Sequence, residues 1–67
     1  MREKIQAIVN NFGLGISVQN LADEVYGKLA LAGENPCIVN ERYIEVNGEM
    51  FKFAKSKAKS QWIVKQF

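Results

Sequence analysis

Two different periods of apolar and polar residues run along this chain, and the change between them divides it. From Arg2 to Phe12, Ile5, Ile8, Val9 and Phe12 recur three and four residues apart, which places them on one stripe of a helix. Val18, Leu21, Ala22, Val25, Leu29 and Ala32 keep the same spacing and predict a second helix. Ser17 is its expected N-cap and Gly33 its expected end, while Gly13 is expected to close the first helix in a left-handed conformation. Gly27 lies inside the second helix and predicts close packing or a break there.

From Arg42 onward the period shortens to two. The sequence Arg-Tyr-Ile-Glu-Val-Asn-Gly-Glu-Met-Phe-Lys-Phe predicts two strands folded at Asn47-Gly48, because a type I′ turn needs positive φ at both central residues. That turn sets the register: Val46 opposite Glu49, Glu45 opposite Met50, Ile44 opposite Phe51, Tyr43 opposite Lys52, Arg42 opposite Phe53. Ile44, Val46, Phe51 and Phe53 share one face; Tyr43, Glu45, Met50 and Lys52 share the other. Ala54–Ser60 lacks large apolar groups and predicts a loop projecting from the end of the sheet. Gln61–Phe67 then predicts a final strand, with Trp62 and Val64 toward the core and Ile63, Lys65 and Phe67 away from it.

Between the helices and the hairpin, Glu34-Asn35-Pro36 reads as a loop and Cys37-Ile38-Val39 as a short strand, suited to an edge, with a turn or bulge at Asn40-Glu41. The expected architecture is α+β: two N-terminal helices packed on one face of a three-stranded antiparallel β-meander (α-α-β-β-β), winged-helix-like at most. Residues 1–67 form a single small domain. An apolar content of 48% excludes a disordered tail, and so small a core makes a homodimer with a shared core a natural expectation.

Composition narrows the chemistry. The chain has no histidine and one cysteine, Cys37, so it has no zinc site of usual composition, no intrachain disulfide and no Cys-His or Ser-His-Asp set. Cys37 is expected to be a small buried apolar residue. Asp23 and Glu24 are adjacent on a helix and point apart, and Glu45 and Glu49 flank a turn. No catalytic residues, metal ligands or cofactors are assigned, and the expectation is a non-enzymatic binding or regulatory protein. With no secretory pattern and no membrane span, the expected location is cytoplasmic, without a membrane partner.

Charge is distributed unevenly. Met1–Glu49 carries four basic residues against seven acidic ones, whereas Met50–Phe67 carries five lysines and no acid. Lys55, Lys57 and Lys59 alternate, so in an extended loop their ammonium groups point one way and could track a phosphate chain, as in the wing of a winged-helix domain. Lys52 and Lys65 lie on the adjoining strands, and Tyr43 adds a stacking surface beside Lys52. The partner expected from this set is DNA or RNA, bound largely without sequence preference because the cluster contains no arginine. The alternative is a protein partner: Tyr26, Leu31, Met50, Ile63 and Phe67 exceed what a small two-layer core can hold and would form a contact patch for a regulator or inhibitor.

Val18-Gln19-Asn20-Leu21-Ala22-Asp23-Glu24-Val25-Tyr26-Gly27 resembles the first helix and turn glycine of a helix-turn-helix unit. The resemblance implies a following helix that begins with polar, base-reading residues. Lys28-Leu29-Ala30-Leu31-Ala32-Gly33 is apolar instead, so the resemblance stops at Gly27.

Overall fold

A computed structural model describes all residues, 1–67. Helix α1 spans Arg2–Val9 and helix α2 spans Val18–Leu31. Strands β1 (Pro36–Asn40), β2 (Tyr43–Val46), β3 (Glu49–Ser56) and β4 (Gln61–Gln66) form one antiparallel sheet in the order β1-β2-β3-β4. The α+β reading holds, but the meander has four strands, not three. Cys37-Ile38-Val39 belongs to a full edge strand because it has a partner: Pro36, Cys37 and Ile38 pair with Val46, Glu45 and Ile44.

The helices end differently. In α1 only Ile5 and Val9 are buried, and the chain leaves the helix at Asn10, earlier than Phe12. The amides of Asn11 and Phe12 donate to the carbonyls of Ile8 and Val9 in tighter three-residue turns. Gly13 is not left-handed; positive φ among the glycines occurs at Gly33 and Gly48. Helix α2 follows its sequence signals. Ser17 Oγ accepts from the Asn20 amide at 3.1 Å, and Gly33 sits at φ +84°. The Gly33 amide donates to Ala30 and the Glu34 amide to Leu29, the paired bonds of a Schellman closure. The helix runs unbroken through Gly27, around which there is open space, so neither a break nor close packing explains that glycine.

The hairpin has the register its turn dictates, from Val46 opposite Glu49 to Tyr43 opposite Lys52. Asn47 and Gly48 adopt φ of 53° and 85°, as the type I′ turn requires. One face of the sheet then buries Ile44, Val46, Phe51, Phe53, Trp62 and Val64 against Ile5, Val9, Leu21, Ala22, Val25 and Leu29. This is the whole core, and it contains no polar residue. The Trp62 indole N–H donates to the Gly13 carbonyl at 3.1 Å, which ties the interhelix link to the last strand.

The two sheet edges are protected by different means. At β4, Gln6 of α1 acts as a surrogate strand: its Oε1 accepts from the Val64 amide at 2.9 Å and its Nε2 donates to the Trp62 carbonyl at 2.8 Å. At β1, Pro36 removes one donor and a bulge between Ile38 and Asn40 interrupts the ladder. The Asn40 side chain closes the following turn by accepting from the Arg42 amide at 3.0 Å.

Candidate nucleic-acid interface

With both helices on one side, the opposite face of the sheet is uncovered. Its residues follow from the register. One row crosses all four strands as Asn40, Tyr43, Lys52 and Lys65. The next row holds Cys37, Glu45 and Met50, and is extended by Phe67, whose amide donates to the Met50 carbonyl at 3.0 Å. On the other side of the lysine row, Ala54 pairs with Ile63 and Ser56 with Gln61, leading to the turn that contains Lys57 and Lys59. Cys37 is therefore exposed rather than buried: it lies on the uncovered face of an edge strand, opposite Glu45.

Side chains from β2, from β3 and from the residue that follows β4 meet on this face. The rings of Tyr43 and Phe67 lean toward each other across β3, with centroids 5.7 Å apart and planes inclined by 35°. The Lys52 ammonium stands 5.8 Å from the centroid of the Tyr43 ring. Phe67, which the sequence assigned to a protein-contact set, thus joins the residues assigned to nucleic acid.

The basic residues do not act as one ribbon. Strand β3 continues to Ser56, so only Lys57–Ser60 forms the turn, and Lys55 belongs to the strand. Lys55 pairs with Trp62 and falls on the helix side of the sheet, its ammonium 5.4 Å from the indole centroid. The expected parallel display of Lys55, Lys57 and Lys59 is thereby corrected, because a strand followed by a tight turn replaces the extended loop on which that display depended. Lys52 and Lys65 are direct cross-strand partners. Opposed like charges destabilise a sheet, and neither lysine has an ion-pair partner, since the single ion pair in the molecule joins Lys4 to Glu34. Glu45 is the one acid on this face, diagonal to Lys52 and half-buried.

The five residues of the protein-contact set separate into two groups. Met50, Ile63 and Phe67 belong to the uncovered sheet face, and Tyr26 and Leu31 belong to α2 in the other layer. Leu31 is 91% exposed. Tyr26, Leu31, Ile38 and Val39, all on α2 and β1, account for every exposed large apolar side chain other than Phe67.

An open groove runs along α2, lined by Asp23, Glu24, Gly27, Lys28, Ala30 and Leu31. No group of three acidic or cysteine side chains converges on a point. No buried side-chain polar atom lacks a partner. No helix is long and apolar enough to cross a membrane. Comparison with known protein families, with curated sequences and with solved structures gives no match. The chain is thus defined by its own geometry: a two-layer α+β domain with one uncovered sheet face that carries two lysines and two aromatic rings.

Proposed function

We propose that this is a small non-enzymatic nucleic-acid-binding protein that contacts the phosphate backbone through the uncovered sheet face and the adjoining turn. Lys52, Lys65, Lys57 and Lys59 are the phosphate contacts, and Tyr43 lies between them and the β1 edge. The observation that carries this reading is the Lys52–Lys65 pair. Two lysines are cross-strand neighbours on the uncovered face and neither is in an ion pair, so positive charge is left uncompensated there and a bound polyanion would neutralise it. The absence of arginine from this set supports backbone contact without base reading. A cytoplasmic, regulatory role is part of the same proposal.

Fluorescence anisotropy with labelled DNA and RNA at several salt concentrations tests it. Binding should weaken steeply with salt, and Lys52→Ala combined with Lys65→Ala should lower the slope of log affinity against log salt by about 2, roughly one for each phosphate contact. Absence of binding to either nucleic acid at low salt overturns the proposal.

A second reading is supported by the exposed apolar residues Tyr26, Leu31, Ile38 and Val39 gathered on α2 and the edge strand β1. On that reading the chain is a protein-interaction module or homodimer. Leu31→Asp should then abolish an association that persists at high salt, measured by analytical ultracentrifugation; a strictly monomeric wild-type chain at high concentration removes the homodimer.

A further inference from the structure

We infer that the nucleic acid bound on this face is single-stranded, and that Phe67 and Tyr43 stack its bases while Lys52 and Lys65 hold its phosphates. The inference rests on the nucleic-acid reading above and narrows its ligand.

The argument begins with what is presented. Phe67 is 71% exposed and lies on the uncovered sheet face beside Met50. Its ring is not loose: the backbone beside it is tied to Met50, and one side of the ring meets Tyr43. Tyr43 in turn has the Lys52 ammonium 5.8 Å from its ring centroid. Phe67 therefore has a supported side and a free side. A flat aromatic surface of this kind binds an unstacked base, whose π-face is available whatever its sequence. In a duplex those faces are occupied by neighbouring bases.

The placement of charge agrees. Lys52 and Lys65 lie one row from Met50 and Phe67, which is about 7 Å along a strand. Cations and stacking rings are therefore within the reach of one or two nucleotides. Helix α2 has Asp23 and Glu24 on its solvent side, where they oppose phosphate, and the β3–β4 turn holds only Lys57–Ser60. The uncovered face is also complementary in sign to its ligand, since Glu45 is its one acid.

The test compares an oligothymidine, an oligouridine and a mixed-sequence duplex in anisotropy titrations with the full chain. The expected result is at least tenfold tighter binding of the single strands. Phe67→Ala and Tyr43→Leu should each weaken single-strand binding about five- to a hundredfold, the range of one lost base stack, and leave the salt slope unchanged. Tyr43→Phe, which retains the ring, should bind like the wild type, and circular dichroism of each variant separates a lost stack from a lost fold. If duplex is bound as tightly as single strands, or if Phe67→Ala has no effect, the single-strand inference fails while nucleic-acid binding stands. If no oligonucleotide binds at low salt, both fail together.

Discussion

The side-chain amide of Gln6 pairs with Val64 as a neighbouring strand would. Its carbonyl oxygen accepts from the Val64 amide at 2.9 Å while its nitrogen donates to the Trp62 carbonyl at 2.8 Å. One glutamine thereby satisfies two edge groups that would otherwise invite a further strand. A helix residue can do this because α1 lies against β4, with Ile5 buried next to Gln6.

Gln6→Ala should destabilise the fold by about 1–2 kcal/mol, the usual range for part-buried partners left without their bonds. It should also reopen the β4 edge, seen as concentration-dependent light scattering. Gln6→Glu keeps an acceptor for Val64 but sets a carboxylate oxygen against the Trp62 carbonyl, and should be no better than Ala at neutral pH. Urea titrations of the three chains give the comparison.

Asn47 has two tasks. It occupies φ 53° in the hairpin turn, and its side chain binds the link before β1. Its Nδ2 donates to Glu34 Oε1 at 3.1 Å and its Oδ1 accepts from the Asn35 amide at 3.3 Å. Asn47→Gly keeps the turn and removes the side-chain bonds, and should cost about 0.5–1.5 kcal/mol for each net bond. Gly48→Ala keeps the bonds and strains a residue at φ 85°, and should cost about 1–2 kcal/mol. Thermal melts of both variants separate turn geometry from tethering.

Glu34 makes stability depend on pH. Its carboxylate accepts from Lys4 at 2.8 Å and from Asn47, and these bonds, that from Lys4 foremost, hold its pKa below the ordinary 4.5. A depressed carboxylate pKa contributes stability that is present above the unfolded value and is lost as pH falls through the folded value. The urea midpoint should therefore fall as the solution is taken below about pH 4.5. Glu34→Gln should flatten that part of the profile. The contribution is small because the site is open to solvent, so the wild-type and variant profiles need to be compared directly.

The parts legible in the sequence are those fixed by local rules. Asn47-Gly48 determined the hairpin register, and Ser17 and Gly33 bounded α2. The errors arose where pairing depended on distant residues. β1 gained strand status from β2, across the bulge between Ile38 and Asn40, and being an edge it left Cys37 in the open. Ala54 and Ser56 are small and read as loop, yet Ile63 and Gln61 draw them into β3. This extension moved Lys55 to the Trp62 side and divided the lysine series. The outer-face assignment of Tyr43, Met50 and Lys52 was legible from parity; the approach of Phe67 to Tyr43 across β3 was not, because it depends on how two side chains lean. The edge role of Gln6 had no sequence signal, since a lone glutamine on a helix surface is ordinary.

Chain synthesis gives the Gln6 contact one more consequence. Its partners lie 56 and 58 positions further on, whereas each strand pairs with its immediate successor in sequence. During translation the first helix emerges long before the strand whose edge it will cover. Helix α2 and the β1–β2–β3 meander can close behind it from contacts near in sequence, which form fast. Helix α1 can pack on α2 early, but its Gln6 bonds form only once β4 is in place.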